Sequence, residues 1–128
     1  MTHAKKIGPD ELIDTDSTPE IERLEAFARN GLWIGTARTQ PGLTSGWHHH
    51  GDHDTIVYAL EGALRIELDE MGDDAVEANS GDFLVIPSGV VHRESTPSDG
   101  HSKTIVIRAG GDGPPTIEVD GADAGSRS

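Results

Sequence analysis

The chain of 128 residues has no cysteine. Disulfides and thiolate metal ligands are therefore excluded, which fits a reducing, cytoplasmic setting. Aromatic residues are scarce, at two Trp, two Phe and one Tyr, and apolar residues make up only 34 %. The core is expected to be small. No apolar run is long enough to span a bilayer and no secretory leader pattern is present, so no membrane association is expected. Lysine is nearly missing: Lys5, Lys6 and Lys103 stand against 23 acidic residues, and the net charge is −13. Nucleic acid and anionic membranes would be repelled. The acidity reads equally as ordinary solubilising charge and as adaptation to high salt. No G-x-S-x-G elbow and no phosphate-binding glycine loop is found, so neither a serine triad nor nucleotide chemistry is indicated.

What is abundant is glycine, sixteen residues, with seven prolines. This many turn formers in one domain-sized chain predicts an all-β fold. Residues 1–18 are polar and without periodicity, and read as an irregular N-terminal arm. Pro19–Gly31 is ambiguous. Thr18, Pro19 and Glu22 suit a helix start, while Asn30-Gly31 before LWIGTAR signals a β-hairpin. TIVYALEG, ALRIEL (Ala63–Leu68), DFLVIP, VVHRES and KTIVIRA (Lys103–Ala109) read as strands. Asp69–Asp74 is an acidic turn. Residues 111–128 read as a flexible acidic tail rich in Gly and Pro, with TIEV as the one strand-like segment. The domain itself is expected over 19–110.

Two stretches carry chemistry: GWHHHGDHDTIVYALEG (Gly46–Gly62) and GDFLVIPSGVVHRES (Gly81–Ser95). On a strand, residues two apart share a face. His48 and His50 can therefore point to one ion while His49 points away. His92 and Glu94 repeat the spacing. Together they form a set of N and O donors suited to a divalent transition metal. Parity also places Thr55, Val57 and Ala59, and then Val90, His92 and Glu94, on inward faces. Asp52 and Asp54 read as acids capping a turn or orienting histidine rings. Trp47 reads as packing. Arg38 and Arg65, taken as the strand-borne arginines before the second stretch, are solvated by default and otherwise candidates for an acidic substrate.

These stretches resemble the two cupin motifs, G-x5-H-x-H-x3–4-E-x6-G and G-x5-P-x-G-x2-H-x3-N. His48, His50 and Gly62 match the first; Gly81, Pro87, Gly89 and His92 match the second. The resemblance covers roughly residues 30–110. It implies a jelly-roll, double-stranded β-helix barrel of eight strands, and a strand before Asn30-Gly31. Two positions depart from the pattern. Thr55 stands where the first motif has a glutamate ligand, and Thr96 where the second ends in asparagine. Glu94 is then the candidate fourth ligand, an arrangement similar to that of pirin-like cupins. Asp54, His53 and water are the alternatives.

The resemblance implies a single-domain cupin holding one divalent metal, Fe, Mn, Ni or Zn, through His48, His50, His92 and Glu94. A small oxygen-bearing ligand in the barrel would be its partner. Dioxygenase-like chemistry leads among enzymatic options, with isomerase or decarboxylase chemistry second. A non-enzymatic module sensing a metal or small ligand is the alternative from another class. A homodimer is expected, because a small core gains from covering a barrel face.

Overall fold

A computed structural model describes residues 3–97, 99–111 and 116–122. The described residues contain no α-helix. A single 3₁₀ turn, Pro9–Glu11, precedes eleven strands: β1 (Ile13–Asp14), β2 (Ile21–Arg29), β3 (Leu32–Thr39), β4 (His48–His49), β5 (Asp54–Glu61), β6 (Ala63–Glu67), β7 (Ala75–Asn79), β8 (Phe83–Ile86), β9 (Arg93–Ser95), β10 (Ser102–Ala109) and β11 (Ile117–Glu118). Eight strands were expected. The three additional strands are β1, β4 and β11, pieces of two residues each, which continue the sheets beyond turns and irregular stretches.

The strands form two facing layers. The larger is a six-stranded antiparallel sheet in the order β1-β2-β3-β10-β5-β8. The smaller has β7-β6-β9, extended by single bridges from Thr44 to Ser95 and from His48 to His92, and then by the β4-β11 pair. This is the all-β, double-stranded β-helix architecture of a cupin jelly roll. Its strands alternate as half-buried strands must. In β5, Thr55, Val57 and Ala59 are buried while Ile56 and Tyr58 face out. In β6, Leu64 and Ile66 are buried. These side chains, with Ala78, Leu84 and Ile86, form one small core between the layers.

The ambiguous segment Pro19–Gly31 is strand, not helix: β2 pairs with β3 around Asn30-Gly31. Gly31 has φ +73°, as a tight hairpin turn requires. A register shift between Glu25 and Phe27 marks a bulge in β2. The sheets also draw in residues from beyond 19–110. Ile13 and Asp14, in the expected arm, pair with Glu25 and Leu24. In the expected tail, Ile117 and Glu118 pair with His49 and His48. The tail positions 112–115 and 123–128 lie outside the described residues.

Candidate metal centre

Two strand ends place the histidines. His48 and His92 face each other across an isolated antiparallel bridge and exchange both backbone hydrogen bonds, each N–H donating to the other's carbonyl at 2.9 Å. Directly opposed residues project side chains to the same face, and their ring centroids lie 4.4 Å apart. His50 follows β4 by one residue, its ring 5.2 Å from that of His48 and 5.0 Å from that of His92. A turn then returns the chain, with His53 N–H donating to the His50 carbonyl at 3.0 Å. On the other side, a Pro87-Ser88-Gly89 turn closes before the ligand strand. Gly89 sits at φ +75°, a conformation that glycine adopts without strain.

The imidazoles are held in defined orientations. His48 Nδ1 is 2.9 Å from the Gly46 carbonyl oxygen and His92 Nδ1 is 2.9 Å from that of Val90. A carbonyl only accepts, so Nδ1 carries the proton in each neutral ring. Nε2 is left with its lone pair for a ligand. His92 is fully buried, and its Nε2 has no hydrogen-bond partner; the nearest carboxylate oxygen, Glu94 Oε1, is 3.8 Å away. Glu94 lies two residues beyond His92 on β9. Its backbone N–H donates to Ser45 Oγ at 2.9 Å, which fixes the strand that carries it. One ligand atom from each of His48, His50, His92 and Glu94 falls within 4.8 Å of the others.

Electrostatics suit cation binding. Burial lowers the basicity of His48, against the pull of the Glu94 charge, which favours its neutral ring. Burial by itself raises the Glu94 carboxyl. The adjacent His92, with His48 and His50, outweighs it and holds the carboxyl below its ordinary value. The carboxylate is thus ionised at neutral pH. A neutral-imidazole, carboxylate donor set fits a divalent transition metal.

The other candidate positions are placed elsewhere. Asp54 Oδ1 accepts the Ser88 N–H at 2.9 Å, tying β5 to the turn before His92. His53 is buried with Nδ1 3.1 Å from the His50 carbonyl oxygen, and it lines a different recess. Thr55 faces the centre from β5 and is buried. Thr96 Oγ1 donates to the Gln40 carbonyl at 2.7 Å and accepts the Leu43 N–H at 3.0 Å, stapling the loop over β9. Trp47 lies under the Arg93 guanidinium at 4.7 Å, and Arg93 also holds Glu67 at 3.3 Å.

The arginines require a correction. Arg23 and Arg29 are also strand-borne before the second motif, on β2. Arg65 is spent on the Gly72 carbonyl at 2.6 Å, and Arg38 is exposed. Arg23 and Arg108 instead line the cavity that holds the histidines. Sequence parity did not find Arg108. In Lys103–Ala109 both alternate faces carry β-branched residues, so alternation alone does not choose the inner one. The cavity has a volume of about 140 Å³. Val57, Leu64 and Val106 form its apolar wall; Thr55, Ser102, Thr104 and Arg108 form its polar one.

Comparison with known proteins agrees with this architecture. The chain is 45 % identical to the uncharacterized protein YdbB of Bacillus subtilis (strain 168) over 47 residues, which span 37 % of this chain and only 40 % of that relative. Among solved structures, KdgF from Halomonas sp. superposes with a TM-score of 0.69 at 23 % identity, covering 84 % of this chain and 96 % of that one. A double-stranded β-helix protein from Klebsiella pneumoniae gives 0.71 at 15 % identity over 92 % of this chain and 99 % of its own. A variant of oxalate decarboxylase from B. subtilis gives 0.69 at 18 % identity, over 91 % of this chain and 34 % of its own. At these identities the structural likeness speaks to the fold. The cupin domain family Cupin_2 matches residues 35–108, more than half of the chain and both histidine-bearing stretches; the protein belongs to that family.

Proposed function

We propose that this protein binds one divalent transition metal through His48, His50, His92 and Glu94 and acts on a small oxygen-bearing molecule in the barrel, with dioxygenase-like chemistry leading. The observation that carries the reading is the convergence of three imidazoles and one carboxylate within 4.8 Å at the edge of an internal cavity. Bound there, a metal supplies Lewis acidity toward an oxygen-bearing ligand and, if it is redox-active, electrons for dioxygen.

The chain's own residues supply the rest. The Gly46 and Val90 carbonyls orient two rings, and the paired backbones of His48 and His92 hold them together. The Val57, Leu64 and Val106 wall keeps water from the apolar side of the cavity. Thr55 offers a hydroxyl to a bound molecule.

Two measurements test the reading. His50→Ala and His92→Ala are expected to abolish stoichiometric metal in the purified protein, read by elemental analysis, because three protein ligands are about the minimum for a tight site of this kind. Metal content unchanged in both variants sinks the assignment. Oxygen-electrode traces then address the chemistry. Turnover of a compound without oxygen uptake moves the protein to the isomerase or decarboxylase class.

A further inference from the structure

Arg108 sits on β10, in the middle of the six-stranded sheet, paired with Trp33 of β3 on one side and Thr55 of β5 on the other. Its guanidinium packs over the Trp33 ring at 5.3 Å. Its Nε is buried without a hydrogen-bond partner, and it forms no ion pair with any described residue. A guanidinium stays charged and only donates. The residue is half-buried and the Glu94 and Asp16 charges act on it, but no carboxylate bonds its buried Nε, so that donor is open to an anionic acceptor.

One further donor lies beside Arg108. Thr55, its pairing partner on β5, has Oγ1 buried without a partner and is 2 % exposed. It lines the cavity together with His48, His50, Glu94 and Arg108. Arg108 also lines a wider recess of about 640 Å³ that opens on the β2–β3 side, with Arg23 beside it. Arg23 is anchored by donating to the Asp16 carbonyl at 2.8 Å. In a chain of net charge −13, these two arginines are the basic groups of the cavity and balance its acids, Glu94 and Glu118; the recess adds Arg29 against Asp16 and Glu25. The Glu25 carboxylate is already occupied by the Trp33 indole N–H at 2.8 Å.

We infer that the molecule bound here is a small carboxylate anion, its carboxylate held by Arg108 with Thr55, its pairing partner on β5, and a second oxygen directed toward the histidine cluster. This deepens the metal-dependent reading above and rests on it only for the second oxygen. A carboxylate matches the planar guanidinium fork through two parallel bonds. A phosphate dianion would bring more negative charge toward Glu94 and Glu118 than one guanidinium offsets. The volume sets the size. About 140 Å³ is the share of roughly four or five waters at about 30 Å³ each, so the buried part of the ligand has only a few heavy atoms.

The test is calorimetric titration of the purified protein with its native metal, and again after metal removal, at fixed ionic strength in buffer free of carboxylate and phosphate. Glycolate and pyruvate are the probes, with uncharged glycolamide and inorganic phosphate as comparisons. Glycolate is expected to bind, glycolamide to bind much more weakly, and Arg108→Gln to lower glycolate affinity roughly tenfold to a hundredfold, the range for a lost hydrogen bond to a charged group. Arg108→Lys should recover part of it, and metal content should stay unchanged in both variants. Thr55→Val, which leaves Arg108 in place, gives a second reading if Arg108 variants fold poorly; it should also weaken glycolate. Equal binding of glycolate by wild type and Arg108→Gln, equal binding of glycolate and glycolamide, preference for phosphate, or no binding of any probe overturns the inference. Arg108-dependent glycolate binding that persists in a protein unable to hold metal supports it while removing the metal reading.

Discussion

Glu94 and Thr55 reach the same cavity from opposite sheets, and only one of them brings charge. Glu94, two residues beyond His92, faces the same side, and the neighbouring histidines hold its carboxyl below its ordinary value. Thr55 offers a hydroxyl, a poor ligand for a divalent transition metal. Glu94→Gln keeps the shape and removes the charge, so it is expected to weaken metal affinity by about tenfold or more, as loss of a charged donor does. Thr55→Val should change it little. Competition against a chelator of known affinity measures both, and an equal or larger effect at Thr55 means the fourth ligand is not Glu94. The i, i+2 parity of His48 with His50 and of His92 with Glu94 could be read from sequence because strand geometry is local. That Asp54 caps a backbone N–H could be read from its type, but that the N–H is that of Ser88 could not, since this partner lies 34 residues away. Arg108 escaped for a related reason: only assembly of the sheet shows that its face is the inner one.

Turns and hairpins decide which strand ends meet at the centre. Gly62 joins β5 to β6 with φ +74°, and a methyl group there would run into the His101 carbonyl oxygen. Gly89 has a similar φ of +75° and open space around its Cα. Gly62→Ala therefore carries a clash in addition to backbone strain, while Gly89→Ala carries strain of about 1 kcal/mol or a little more. The expected order of melting temperatures is wild type, then Gly89→Ala, then Gly62→Ala. An alanine at 62 that melts no lower than one at 89 contradicts the close approach. At this scale the sequence was informative wherever turn chemistry and alternation agreed, as in Ala63–Glu67. It was divided over Pro19–Gly31, where a plausible helix start competes with Asn30-Gly31. The bulge at Glu25–Phe27 interrupts β2's alternation, so the period-2 signal is weakest where it was most needed. β11 lies in a stretch whose composition predicts disorder, and its pairing partner β4 is remote in sequence. Local pattern carries no information about such a contact.

On the scale of the whole molecule, two surface properties pull against each other. The outer face of the six-stranded sheet is apolar where β8 forms its edge: Phe83 is 71 % and Val85 is 62 % exposed, and Phe83 stacks on Tyr58 at 4.6 Å. Ile56, Ile105 and Ile107 continue this face and are only half-buried. A second copy laid on it would cover both the apolar surface and the open strand edge. Light scattering is therefore expected to give twice the chain mass of 13.6 kDa, and Val85→Lys to shift the protein toward monomer. A monomer mass for the wild type at every protein and salt concentration contradicts the dimer. Charge opposes both folding and pairing, since each chain carries −13. Like charges repel over about 30 Å at 0.01 M salt but only about 3 Å at 1 M. Melting temperature should therefore rise as potassium chloride goes from millimolar to molar at fixed protein concentration, by a few degrees for each roughly 1 kcal/mol of repulsion relieved. Two controls separate the causes. Metal-stripped protein should show the same slope if the effect is general screening and not the metal centre. Monomeric Val85→Lys should keep a smaller slope, because it folds with the repulsion of one chain instead of two. A melting temperature that is flat or falls with salt leaves the acidity as a solubility feature with no measurable cost to the fold.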